Sequence, residues 1–140
     1  MANNKKTLFL VDGTALAYQS FYALQNLRSP EGRPTGAVYG FYQTLETLLP
    51  EYSPDYLAVV MDRGTPLERT EAFADYKADR APTPTELLEQ LPQIEEMLTL
   101  LGIPVLSMEG IEADDIIGTL SVQGAEREME VFIFSPDKDM

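Results

Sequence analysis

Residues 7–12 read TLFLVD and residues 56–62 read YLAVVMD, two short runs that are apolar almost throughout and that each close on an aspartate. A strand with one face in water alternates apolar and polar side chains. A run that does not alternate is covered on both faces, as strands of a parallel sheet are. Two more runs share this character, Ile103–Ser107 (IPVLS) and Val131–Ser135 (VFIFS).

Helical spacing fills the gaps between these four runs. Ala15, Tyr18, Tyr22 and Leu24 to Leu27 follow Thr14, which suits an N-cap. Ala37 to Leu49 carries Val38, Phe41, Tyr42, Leu45, Leu48 and Leu49 at three- and four-residue steps. Glu86–Leu101 sets Leu87, Leu91, Ile94, Leu98 and Leu101 on one stripe with Gly102 as a stop, and Pro92 is expected to kink or break it. Ala113–Arg127 turns Ile116, Ile117, Leu120 and Val122 inward. Strands alternating with helices predict an α/β fold, a mainly parallel sheet with helices on both faces. One domain accounts for 140 residues, and no internal repeat or linker divides them.

Composition removes whole classes of chemistry. With no cysteine there is no disulfide, thiol nucleophile or cysteine-ligated zinc, and with no histidine there is no imidazole base or His-ligated metal. Ten Lys and Arg against 23 Asp and Glu leave a net charge of −13, which argues against a protein drawn to DNA or a membrane by bulk charge. Neither a signal sequence nor an apolar run of membrane-spanning length is present, so a cytoplasmic protein with no membrane partner is expected. Chemistry, if any, falls to carboxylates, hydroxyls, Lys and Arg.

The carboxylates are unevenly placed. Asp12 and Asp62 end the first two runs, Asp137 and Asp139 follow the last, and Glu112, Asp114 and Asp115 open the final helix. Parallel sheets bind ligands beyond the carboxyl ends of their strands, so these seven acids are expected along one edge. Singly, each could be a turn former or a helix cap. Gathered together, they need cations between them, and an all-oxygen site selects Mg²⁺ or Mn²⁺. Two such ions suit the attack of water on a phosphodiester.

The stretch 62–84 lacks an apolar stripe but carries Arg63, Arg69, Lys77 and Arg80, four of the ten basic residues. They would clamp phosphate, although Glu68, Glu71, Asp75 and Asp79 balance them and equally suit a solvated surface helix. Tyr18, Phe21 and Tyr22 have core spacing, with one of them available to stack on a base.

LVDGTALAY at 10–18, PTGAVYGF at 34–41, VVMD at 59–62, YKADRAPTP at 76–84, LLGIPVL at 100–106, GIEADDIIGTL at 110–120 and PDKDM at 136–140 together resemble the N-terminal 5′-to-3′ exonuclease domain of bacterial DNA polymerase I, in the flap-endonuclease superfamily and related to PIN domains. The resemblance implies that Asp12, Asp62, Glu112, Asp114 and Asp115 are catalytic metal ligands, joined by Asp137 and Asp139. It implies a basic arch or clamp at about 63–84, where Arg69, Tyr76, Lys77 and Arg80 hold the 5′ end. Tyr18 would lie near the reacting phosphate, and Thr35, Gly36 and Tyr39 would meet the duplex backbone. Two or more Mg²⁺ or Mn²⁺ ions, DNA with 5′ ends, flaps or nicks, RNA primers, and a polymerase region in cis are the implied cofactors and partners.

The chain departs from that family at Gln19, where an arginine is usual, at Glu68, where an aromatic is, and at Arg63 and Gly64 after Asp62. It also ends at Met140, where family members continue into a duplex-gripping helix–three-turn–helix part. The expectation is a fragment or shortened relative that alone binds metal and DNA weakly and cleaves slowly. Other readings are a nuclease-like module that binds DNA without turnover, a PIN-type ribonuclease, and, less favoured, a receiver-like phosphoacceptor.

Overall fold

Side chains of β1 (Thr7–Asp12) alternate between two faces, Phe9 and Val11 on one and Leu8 and Leu10 on the other. A computed structural model describes residues 5–62, 84–107 and 111–136, with only the backbone of Asp114, and both faces are covered. On the first face Phe9, Val11, Val59 and Met61 pack with Leu16, Ala17 and Phe21 of α1 (Gly13–Ala23), Phe41 and Leu45 of α2 (Gly36–Tyr52), and Leu87, Ile94 and Leu98 of α3 (Thr85–Leu100). On the second, Leu10, Ala58 and Val60 meet Ala113, Ile116 and Ile117 of α4 (Ala113–Glu126).

The sheet is parallel throughout, in the order β3-β2-β1-β4. Val11 lies beside Val59 of β2 (Tyr56–Val60) and beside Phe134 of β4 (Glu130–Phe134). The chain steps outward from β1 to β2 and β3 (Val105–Leu106), then returns to the other side of β1 as β4. The order therefore reverses between β1 and β4, and a crevice opens there at the carboxyl end.

The four runs are strands, but three are shorter or shifted relative to the sequence reading. β3 keeps only two residues of the five expected because Ile103 N–H closes the end of α3 on Leu98 O and Pro104 has no N–H. Pro92 does not break α3, which buries Leu87, Ile94 and Leu98 completely on either side of it. Leu24–Leu27 leave the helix expected to include them, which ends at Ala23. Leu27 O accepts from Thr35 N–H, and Ser29 N–H bonds Arg33 O, so residues 28–34 form a small antiparallel turn. Tyr22 and Val122, expected inward, are 55% and 59% exposed. The buried side of α1 runs through Leu16, Ala17, Ser20 and Phe21 and leaves Tyr22 edge-on against Phe21.

Candidate functional site

Asp12 ends the central strand and is 5% exposed. Its carboxylate Oδ1 accepts from Ala15 N–H at 3.1 Å, so Asp12, not Thr14, is the N-cap of α1. A strand that passes directly into a helix leaves one residue to serve as both the strand's last position and the helix's cap. Asp12 Oδ2 accepts from Ser135 Oγ at 3.3 Å, which ties β1 to the residue just past β4. The contact spans the crevice where the strand order reverses.

Thr14 does different work from the capping expected of it. Its Oγ1 accepts from the Asp62 backbone N–H at 2.7 Å. The two segments come this close because residue 13 is glycine. A Cβ there would stand 2.6 Å from Val59 Cγ1 and strike Met61 Sδ. Asp62 in turn reaches forward, its Oδ1 accepting from Ala113 N–H at 2.6 Å. That short, charge-assisted bond satisfies the first turn of α4, whose own N-cap residue, Glu112, makes no side-chain capping bond. A carboxylate at a helix N-terminus is also favoured by the helix dipole.

Asp12, Asp62 and Glu112 thus lie along the carboxyl ends of β1 and β2 and the start of α4, with Thr14 and Ala113 bonding Asp62 to α1 and α4 and Ser135 bonding Asp12 to the end of β4. Asp115 is exposed in the first turn of α4, its N–H bonded to Glu112 O, and Asp114 precedes it in the helix. Asp137 and Asp139 lie outside the described residues, as does the side chain of Asp114. Among the described residues no three acids stand as a group able to hold a metal ion. The donors this rim offers are carboxylate oxygens, which suit a hard divalent ion.

The residues expected to touch substrate fall into two groups. Tyr18 is half-buried against the core above β1. Thr35, Gly36 and Tyr39 stand where α2 begins, at the far end of α1 from Asp12, a separation of about 16 Å along that helix. Gly36 is buried, and a Cβ there would collide with the Leu24 carbonyl. Tyr39 is 47% exposed. Arg69, Tyr76, Lys77 and Arg80, with the expected arch at 63–84, lie outside the described residues except for Pro84.

One residue that the sequence reading passed over organises the second group. Gln90 of α3 is 1% exposed, and its Oε1 accepts from Ala37 N–H at 2.8 Å and Val38 N–H at 3.2 Å. Thr35 makes no side-chain cap, so Gln90 caps α2 from another helix. A glutamine inside the apolar stripe between Leu87 and Ile94 was the available signal. Arg28 adds an exposed ion pair with Glu86 at 3.0 Å across the same junction.

A family model described as "5′-3′ exonuclease, N-terminal resolvase-like domain" matches residues 7–140. The chain belongs to this 5′-3′ exonuclease N-terminal domain family. It is 49% identical over 135 residues to DNA polymerase I of Chloroflexus aurantiacus, covering 95% of this chain and 14% of that protein. It is 43% identical to a 5′-3′ exonuclease of Aquifex aeolicus, covering 96% of this chain and 47% of that one. The chain therefore spans less than half of either relative. Its fold matches a T5 5′-exonuclease structure with bound zinc at a TM-score of 0.71 and 23% identity, over 96% of this chain and 50% of that one. The expected exonuclease-domain family and α/β fold are both borne out.

Proposed function

We propose that the protein hydrolyses phosphodiester bonds at 5′ ends of DNA, using divalent metal ions held by carboxylates at the carboxyl edge of its sheet. The observation that carries this reading is the linkage of Asp12, at the end of β1, and Asp62, just past the end of the adjacent β2, to each other's neighbourhood and to the start of α4. Membership of the 5′-3′ exonuclease family supports it from a separate direction. Asp12, Asp62 and Glu112 would hold the ions together with Asp114, Asp115, Asp137 and Asp139, and Mg²⁺ or Mn²⁺ fits their oxygen donors. Such ions, when bound, lower the pKa of a coordinated water and neutralise the leaving oxygen.

The chain's own side chains do the positioning. Asp12 and Asp62 are each fixed by a helix N-terminus, so their oxygens are oriented before substrate arrives. Tyr18 lies six residues beyond Asp12 on α1, about 9 Å along the helix, and would contact a base or phosphate that extends from the rim. Tyr39 and the start of α2 would meet the duplex backbone farther out, and Arg69, Tyr76, Lys77 and Arg80 would grip the single-stranded 5′ end. RNA primers are a second substrate, a polymerase region in cis the natural partner, and the bacterial cytoplasm the site of action. A labelled 5′-flap duplex tests the core of the reading. Cleavage in Mg²⁺ is expected to cease with EDTA and to fall at least about 100-fold in Asp62→Ala. Cleavage that persists in EDTA, or is unchanged in Asp62→Ala with the circular dichroism spectrum intact, overturns it.

A further inference from the structure

Two of the rim carboxylates, Asp12 and Asp62, are connected through the consecutive residues Asp12, Gly13 and Thr14. Asp12 caps α1, Gly13 lets the start of that helix press on Val59 and Met61 at the end of β2, and Thr14 Oγ1 takes the Asp62 N–H at 2.7 Å. That last bond crosses 48 positions of sequence and fixes the backbone from which the Asp62 carboxylate projects. Asp62 stands two residues past Val60, the last residue of β2, so the ladder with β1 does not hold it directly. Its N–H is held by Thr14 and its Oδ1 by Ala113, so Thr14 fixes the backbone and the start of α4 the carboxylate.

We propose that Thr14 is a positioning residue whose hydroxyl sets the Asp62 carboxylate for metal binding, coupling the placement of Asp62 to that of Asp12 through the first turn of α1. The proposal rests on the metal-dependent reading of the rim given above. Groups that orient a metal-ligating side chain without touching the ion typically govern its affinity by ten- to a hundredfold, in order of magnitude. Valine matches threonine in shape but has no acceptor, and serine keeps the acceptor.

Manganese calorimetry on wild type, Thr14→Val and Thr14→Ser tests this. Thr14→Val is expected to bind Mn²⁺ at least about tenfold more weakly than wild type while retaining the wild-type circular dichroism spectrum. Thr14→Ser is expected to bind like wild type. Thr14→Val with wild-type affinity, or Thr14→Ser as weak as Thr14→Val, overturns the proposal. Wild type that takes up no Mn²⁺ sinks the functional reading itself, and this inference with it. Should Thr14→Val not fold, hydrogen exchange of the Asp62 amide in the wild type decides. Slowing by Mg²⁺ that is larger at the Asp62 amide than at the core amides of Leu10 and Val59 supports the coupling, and slowing no larger than theirs refutes it.

Discussion

Gln90 is a polar side chain at the centre of an apolar contact, and its bonds explain why it is tolerated there. Oε1 accepts two N–H groups at the start of α2, and Nε2 donates to Glu86 O at 3.1 Å, so its hydrogen-bonding groups are engaged although almost none of its surface is exposed. Gln90→Leu keeps the bulk and strands the Ala37 and Val38 amides. It is expected to cost about 2 kcal/mol and to lower the urea midpoint accordingly. The same change should loosen Tyr39 and its neighbours without altering Mn²⁺ uptake at the rim, a split that calorimetry on the variant checks. At this scale the sequence was partly legible. Aspartates closing two apolar runs drew attention to Asp12 and Asp62, not singly but because the acids of several elements were expected at one edge of the sheet. The capping role assigned to Thr14 went to Asp12, because nothing local reveals that the threonine hydroxyl faces a strand 48 positions away. Gln90 and Ser135 were missed for the same reason, their partners being remote in sequence.

The second face of the sheet depends on one helix among the described elements. α4 contributes Ala113, Ile116 and Ile117 to a small cluster with Leu10, Ala58 and Val60, and Ile117 is fully buried. Ile117→Ala leaves a cavity that a single helix cannot close by shifting against neighbours, and a cost of about 3 kcal/mol is expected in urea unfolding. α4 carries Glu112, Asp114 and Asp115 at its start and is held there by Asp62, so the same variant should weaken Mn²⁺ binding as well. Elements were the most legible level. Unbroken apolar runs marked the strands, and three- and four-residue spacing marked the helices. What escaped was competition for backbone groups. Ile103 N–H went to the end of α3 rather than to the sheet, and the contacts of residues 28–34 replaced the last turn expected of α1.

Net charge of −13 on 140 residues is a burden concentrated near the end of the chain, with nine acids and two bases from Glu109 onward. Cations bound only by the folded rim would stabilise the whole molecule by mass action, about 2.7 kcal/mol at a free concentration one hundred times the dissociation constant. The melting temperature should therefore rise by several degrees in Mg²⁺ over EDTA, more than in Na⁺ of equal ionic strength. Equal melting curves in the two solutions would speak against the metal-dependent reading. Topology was the level at which sequence said least about the site. It indicated that acids end the strands, but only the order β3-β2-β1-β4 sets Asp12 against Ser135 and level with Val60, two residues before Asp62.

That order has a consequence for how the molecule comes into being. Asp12 and Ser135 are 123 positions apart, and β1 keeps one bare edge until β4 arrives to pair with it. During synthesis on the ribosome the central strand is therefore made early and enclosed late, waiting on a pairing of high loop-closure cost. The crevice beside Asp12 is finished only when nearly all of these residues have emerged, so a half-made chain cannot present the completed rim.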